Sequence, residues 1–122
     1  MTTPSRAASR TAVGRAAEST VAAWLEARGY VVLGRNIRVG RDEIDVVALD
    51  GSTLVCVEVR ARRRGAMVHP LESITASKRA RMRRAALRCA VERGVREVRV
   101  DVAAVIDGEV DHIENAVDFS GA

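Results

Sequence analysis

The strongest constraint on the fold comes from residues 42–64, where two apolar stretches with strand-like alternation flank Asp50-Gly51. Gly takes a positive φ at little cost and Asp tolerates one, so this dipeptide favours a short β-hairpin. Successive side chains of a strand point to opposite faces. One face of the predicted hairpin therefore carries Ile44, Val46 and Ala48 of the first strand and Val55, Val57 and Val59 of the second.

The opposite face of this hairpin carries charge. With a loop of two or four residues, odd-numbered positions of the first strand face even-numbered positions of the second, which puts Asp45 on the face of Glu58 and Arg60. If Asp45 lies directly opposite Glu58, their Cβ atoms are about 5 Å apart. Glu43 adds a third carboxylate. A three-residue loop would shift the parity and remove this convergence.

Two interpretations of this charged patch are open from the hairpin alone. Facing carboxylates repel each other, and a hard cation would relieve that repulsion. Mg²⁺ commonly uses one or two carboxylates and completes its coordination with water and phosphate oxygens, as in metal-assisted phosphodiester hydrolysis. The alternative is a solvated face on which Arg60 neutralises its acidic neighbours, because acid clusters also occur in structural ion-pair networks.

The basic residues indicate an anionic partner. The chain of 122 residues is long enough for one domain, and its net charge of +4 comes almost wholly from arginine, with Lys78 as the sole lysine. Arginine presents a rigid donor fork that suits phosphate. A helix predicted from residue 75 or 76 to 93, with Gly94 as its stop, is crowded with one sign of charge, which favours a nucleic-acid face. The candidate nucleic-acid-binding residues are Arg62, Arg63, Arg64, Lys78, Arg79, Arg81, Arg84 and Arg88.

Other composition features exclude several classes of protein. Aromatic residues make up only 2% of the chain, which argues against recognition by base stacking. Cys56 and Cys89 lack metal-ligand spacing and fall within apolar patterns, which predicts buried free thiols and a cytoplasmic protein. No apolar run is long enough for a membrane span. His69 and His112 have no partner at catalytic or metal-ligand spacing.

The domain organisation predicted from the sequence is simple. Residues 1–12 are small, polar and basic, which predicts a flexible N-terminal arm outside the fold. Residues 13–119 form a single domain, and residues 120–122 form a tail. A first helix is predicted over residues 14–28, where Glu18 lies beside the apolar stripe; a lone helix glutamate is usually exposed. A strand over residues 96–107 leads into a second hairpin at Asp107-Gly108.

Several short blocks, taken in order, resemble a known family. Gly34-Arg35-Asn36, Glu43-Ile44-Asp45 and Val57-Glu58-Val59-Arg60, with Glu18 upstream, are similar to blocks of the YraN-like proteins over residues 13–119. These are bacterial predicted endonucleases of the PD-(D/E)XK, restriction-endonuclease-like superfamily, similar in core to archaeal Holliday junction resolvases. The resemblance implies an α/β fold with a mixed β-sheet flanked by helices. It also implies Mg²⁺ or Mn²⁺ as cofactor, DNA, including branched or structured DNA, as substrate, and a homodimer.

The resemblance also implies roles for individual residues. The metal-binding aspartate corresponds to Asp45 and the second acidic ligand to Glu58. Glu18 corresponds to the family's first-helix glutamate, and Glu43 to the acid of a Gly-Glu-Ile-Asp block in which this chain has Asp42 instead of glycine. Arg60 stands where the superfamily pattern has lysine.

Two functions follow as expectations. The first is a metal-dependent endonuclease in which Arg60 holds the scissile phosphate and stabilises its charge. The second is a catalytically impaired nucleic-acid-binding module, because arginine stays charged and cannot act as a base. A protein-interaction scaffold without nucleic acid is a third class.

Overall fold

The computed structural model describes residues 6–65 and 69–119, which form two long helices and one five-stranded sheet. The elements in chain order are α1 (Arg6–Ala27), β1 (Val31–Val39), β2 (Asp42–Asp50), β3 (Thr53–Arg62), a short 3-10 helix (Pro70–Ser73), α2 (Ala76–Arg93), β4 (Glu97–Ile106) and β5 (Glu109–Val117). Residues 1–5 of the predicted arm, residues 66–68 of the loop after β3 and the predicted tail 120–122 lie outside the described residues.

The sheet is mixed, with strand order β1-β2-β3-β4-β5. β3 and β4 are parallel, and the other neighbouring pairs are antiparallel. A parallel pair needs a crossover connection, and α2 lies within this one. Helices on both faces complete an α/β fold, which confirms the predicted fold class.

Each helix covers one face of the sheet with its own hydrophobic cluster. On the α2 side, Val47, Leu54 and Cys56 of the sheet cluster with Ala86 and Cys89 of the helix. On the α1 side, the cluster is formed by Val21, Leu25, Val46, Val55, Val57, Ala48 and Ala103. Because the two faces are buried separately, β2 and β3 carry apolar residues on both sides. Burial, together with the neighbouring Cys89 thiol, raises the pKa of Cys56 to about 12. The predicted buried, free thiols are confirmed.

The hairpin of β2 and β3 has the predicted even-numbered loop. Asp50 pairs with Thr53, which leaves Gly51 and Ser52 as the loop, and Gly51 has φ 60°. Val47 consequently pairs with Cys56, as the parity argument requires. Ile44 is an exception, since it packs on the α2 side rather than with Val46 and Ala48. At Ile44, β2 is still paired with β1, opposite Ile37, whereas its pairing with β3 has ended at Val46.

The two helices differ in how well the sequence predicted them. For α2, the Thr75 side chain caps the start by accepting a hydrogen bond from the Lys78 N–H at 3.1 Å, and Gly94 ends the helix with φ 66°. α1 begins at Arg6 rather than at residue 14, and so includes part of the predicted arm. The separation of that arm from the domain stays a prediction. Neither helix of the described chain has the apolar length that a membrane span requires.

Candidate active site

The sheet divides between β2 and β3 at one end of the hairpin. The last pair of this ladder is Val46 with Val57. Beyond it, β2 continues along β1 while β3 continues along β4. Asp45 and Glu58 are the first residues past the division, one on each strand. The predicted convergence of the two carboxylates is therefore present, although the strands have already separated and do not pair Asp45 with Glu58 across a ladder.

A cleft of about 260 Å³ opens at this division, between the two strands and the first half of α2. Its charged lining consists of Arg41, Asp42, Glu43, Asp45, Glu58, Lys78 and Arg81, and its apolar lining of Ile44, Cys56, Val57, Met82, Ala85 and Val100. Charged groups convergent over an apolar base are typical of a ligand site.

Asp45 is held in an unfavourable electrostatic environment. Burial and the negative charge of Glu58 raise its pKa to about 7, and Glu18 adds to the rise. Its Oδ2 atom accepts a hydrogen bond from the Val59 N–H at 2.9 Å, and Lys78 contributes positive charge. Both interactions lower the pKa of Asp45 and therefore oppose the rise. Strongly perturbed carboxyl groups in clefts are typical of functional sites.

Glu58 is contacted by two cations. Its side chain is 11% exposed, and its Oε1 atom lies 3.5 Å from Arg60 Nη2 and 3.5 Å from Lys78 Nζ. Charge-assisted hydrogen bonds usually have lengths of about 2.7–2.9 Å. Both contacts are therefore loose ion pairs, one from within β3 and one from α2.

Two buried polar atoms of this region lack hydrogen-bond partners within the described structure. They are Glu18 Oε2, an acceptor, and Arg60 Nε, a donor. Buried polar atoms are almost always paired, and leaving one unpaired costs about 1–3 kcal/mol. The first-helix glutamate is thus not a solvated surface residue, and its charge acts on Asp45.

The residues of the cleft fit a hard divalent cation held by few protein ligands. Asp45 and Glu58 supply the one or two carboxylates that Mg²⁺ commonly uses, and the unpartnered oxygen of Glu18 lies within electrostatic range of Asp45. Glu43 lines the cleft but is exposed. In the part of the chain that is described, no group of three His, Cys, Asp or Glu side chains is arranged as a metal-ligand set. An ion held by two carboxylates would complete its coordination with water.

Comparison with known proteins assigns the family. A profile described as "Uncharacterised protein family UPF0102" matches residues 17–105. The chain belongs to the UPF0102 family. A UPF0102 protein of Sorangium cellulosum is 48% identical over 101 residues, covering 79% of this chain and 70% of the relative. A UPF0102 protein of Anaeromyxobacter dehalogenans is 44% identical over 118 residues, covering 92% of this chain and 88% of the relative.

A third relative, from Beutenbergia cavernae, is 47% identical over 97 residues, which cover 78% of this chain and 82% of the relative. The predicted resemblance to YraN-like proteins is confirmed at the level of the family. The profile match includes Glu18, Asp45, Glu58, Arg60 and Lys78. All residues that meet at the division of the sheet therefore belong to the UPF0102 region of the chain.

Most of the predicted nucleic-acid-binding residues of this UPF0102 protein already contact other residues. Arg84 makes two hydrogen bonds to Asp42, at 2.9 and 2.8 Å, and holds the pKa of that carboxyl below its usual range. Arg88 pairs with Glu92 at 3.0 Å. The remaining contacts are Arg62 with Ser73, Arg64 with Asp107, and Arg79 with the carbonyls of Leu71 and Ile74. Part of the basic charge is therefore neutralised within the chain.

Arg81 differs from these residues because it lines the cleft. Arg63 is exposed after the end of β3. Sequence reasoning missed Arg41 and Asp42, which also line the cleft. The pairing of Asp42 with Arg84 joins a strand to a helix across a separation of 42 residues, so no local spacing could have indicated it. Nucleic-acid binding by these residues stays a prediction.

A second buried aspartate lies outside the cleft. Asp101 is fully buried and lies 2.7 Å from His112 Nε2, 3.1 Å from Arg99 Nε and 2.9 Å from the Asn115 N–H. The pairing of β5 with β4 brings the His112 ring to Asp101, a structural contact that spacing along the sequence did not indicate. His112 also packs edge-on against Trp24, with ring centroids 5.2 Å apart. Asp101 therefore belongs to a paired structural network.

Proposed function

We propose that this UPF0102 protein is a metal-dependent endonuclease that acts on DNA, including branched or structured DNA. The main support for this proposal is the set of acids at the division of the sheet. Burial and Glu58 raise the pKa of Asp45 to about 7, and Glu18 Oε2 has no hydrogen-bond partner among the described residues. A structural ion-pair network would satisfy such groups, as the network around Asp101 does. The unpartnered oxygen of Glu18 and the raised pKa of Asp45 support a cation-binding role for this site.

In this function Asp45 and Glu58 would hold the ion, and Glu18 would accept a hydrogen bond from water in the site. Bound Mg²⁺ or Mn²⁺ would supply Lewis-acid polarisation of the phosphate and activation of water. Arg60 and Lys78 place positive charge beside Glu58, where the phosphate gains negative charge as it reacts. Glu43, at the exposed rim, orients solvent.

The reaction is phosphodiester hydrolysis. A water oxygen forms a bond to phosphorus, and the bond from phosphorus to the leaving oxygen breaks with its electron pair. The proton of the attacking water passes to solvent, and the leaving oxygen takes a proton from solvent. Arg81, which lines the cleft, and Arg63, which is exposed after β3, contact the DNA backbone.

The test uses linear, flap and four-way DNA with Mg²⁺ or Mn²⁺. We expect cleavage by the wild-type protein and loss of cleavage in Asp45→Asn. Asp111→Asn is a matched control, because Asp111 is exposed on β5 and lies outside the cleft. Absence of any cleavage that Asp45→Asn removes would refute the catalytic proposal.

A second candidate function is nucleic-acid binding without catalysis. Arg60 favours it, because an arginine at this position cannot give up a proton. This candidate predicts salt-dependent DNA binding with a slope of about −0.9 in log affinity for each phosphate contact, and no turnover with either ion. Gain of cleavage in Arg60→Lys would support it.

A further inference from the structure

Lys78 is the only lysine of the chain, and it lies at the candidate site rather than on an outer surface. Its backbone N–H is fixed by the Thr75 cap, which places it in the first turn of α2. Helix side chains point back toward the N-terminus of their helix. From there Nζ reaches Glu58 Oε1 at 3.5 Å and lines the cleft.

The local chemistry of α2 does not explain a lysine at this position. The positive end of the helix dipole lies at its N-terminus, where a cation is unfavourable and an acid is favoured. The first turn of α2 carries no acid. Lys78 therefore opposes the helix dipole, and the compensating interaction is with Glu58 on the neighbouring strand.

Lys78 and Arg60 contact the same oxygen of Glu58 but differ in their access to the cleft. Lys78 is 31% exposed and lines the cleft, whereas Arg60 does not line it and has a buried Nε atom. A lysine ammonium is a compact charge with three rotatable donors, while a guanidinium is a rigid fork. Lys78 is thus the better placed of the two to reach a phosphate in the cleft.

We propose that Lys78, presented from α2, is the catalytic cation of this site, which contacts the scissile phosphate, and that Arg60 is a positioning residue for Glu58. The inference rests on the proposed nuclease function. It assigns to Lys78 the role of the lysine that the superfamily pattern has at position 60. The site then contains a lysine that contacts the phosphate, although β3 carries Arg60 at that position.

Lys78 acts as an ammonium throughout. Its 3.5 Å contact with Glu58 is a loose ion pair, so a divalent cation on Glu58 can replace it as the counter-charge. The released ammonium donates hydrogen bonds to a non-bridging phosphate oxygen, and the proton of the attacking water still passes to solvent. Lys78 therefore competes with the metal for Glu58 in the free protein and contacts the substrate in the complex.

The sole lysine allows a direct test. Protein labelled with lysine that carries ¹³C at its ε-carbon gives one lysine side-chain NMR signal, which belongs to Lys78. We expect that signal to shift when Mg²⁺ is added, and to shift again when four-way DNA is added with Ca²⁺ in place of Mg²⁺ to prevent turnover. A Lys78 signal that DNA leaves unmoved would overturn the proposal.

Two variants separate a catalytic role from a structural one. Lys78→Met should lower cleavage by roughly 100-fold, as loss of a transition-state donor does, and raise Mn²⁺ affinity roughly two- to fivefold by removing a competing ion pair. Lys78→Arg should keep the wild-type Mn²⁺ affinity, because it keeps the charge, and lose most cleavage. Arg83→Gln, on the same helix but outside the cleft, should change neither quantity.

The outcomes distinguish this inference from the proposed function. Wild-type cleavage that survives Lys78→Met within about twofold would overturn the role of Lys78 alone. Wild-type protein that binds Mn²⁺ but cuts none of the three DNA forms would refute the nuclease proposal and, with it, the catalytic role of Lys78. Unchanged Mn²⁺ affinity in Lys78→Met would contradict the competition for Glu58.

Discussion

Two aspartates of one sheet, Asp101 and Asp45, lie in opposite electrostatic environments. Burial alone would raise the pKa of Asp101, but hydrogen bonds from His112, Arg99 and the Asn115 N–H lower it. Asp45 has one backbone hydrogen bond, and burial together with Glu58 raises its pKa to about 7.

The contrast shows how this fold stabilises a buried charge that has only a structural role. At Asp101 it supplies a ring nitrogen, a guanidinium and a backbone donor. At Asp45 it supplies further acids, and it leaves Glu18 Oε2 without a partner among the described residues. Folds keep such unfavourable electrostatics mainly at functional sites, where a ligand completes them.

The largest expected effect is at the paired aspartate. Asp101→Ala should destabilise the protein by about 3–5 kcal/mol near pH 7, because it leaves a buried cavity and removes the acceptor of Arg99 Nε, His112 Nε2 and the Asn115 N–H. The pKa of Asp101 is lowered on folding, so its stabilisation is present above the unfolded pKa and is lost as pH falls through the folded pKa. Urea unfolding at neutral and acid pH measures both effects. A change below about 1 kcal/mol would break the contrast with Asp45.

The second expected effect is an increase in stability, opposite in sign to the first. Asp45→Asn should stabilise the metal-free protein at pH 8, on the order of 1 kcal/mol, because it removes a buried charge that Glu58 repels. The pKa of Asp45 is raised from 3.8 to about 7, so stability is fully present below about 4 and is lost as pH rises through about 7. The gain should therefore disappear in acid. Destabilisation by Asp45→Asn at pH 8 would place Asp45 with the structural aspartates.

The smallest expected effect again compares a residue at the cleft with a paired residue, this time two arginines of α2. Arg81 lines the cleft, whereas Arg84 is paired with Asp42. Arg81→Gln should therefore reduce the salt slope of DNA binding by about 0.9, the value for one phosphate contact. Arg84→Gln should reduce it less, because Asp42 already neutralises that charge. Fluorescence anisotropy over a range of salt concentrations compares the two, and equal losses would contradict the distinction.

The parts of the fold that depend on local chemistry were predictable. Gly51 and the even loop set the parity that brings Asp45 to the side of Glu58, and Thr75 and Gly94 set the ends of α2. These features need only the turn preferences of Gly and Asp and the period of a strand.

The features that sequence reasoning missed depend on tertiary contacts. Ile44 packs on the α2 face rather than with Val46 and Ala48, and the pairing of β5 with β4 gave His112 its partner. The contact of Lys78 with Glu58 likewise joins α2 to β3. Periodicity along one element carries no information about which side chains meet across elements.

The most direct measurement of the central claim is calorimetric titration of Mn²⁺ into the wild-type protein near pH 7, in two buffers of different ionisation enthalpy. Asp45, with a pKa of about 7, is partly protonated there. Binding of one ion should therefore release a fraction of a proton, which makes the observed heat depend on the buffer. Binding should be lost in Asp45→Asn and Glu58→Gln and kept in Asp111→Asn. Undiminished binding in Asp45→Asn, or no binding by the wild-type protein, would contradict the assignment of this site to a metal ion.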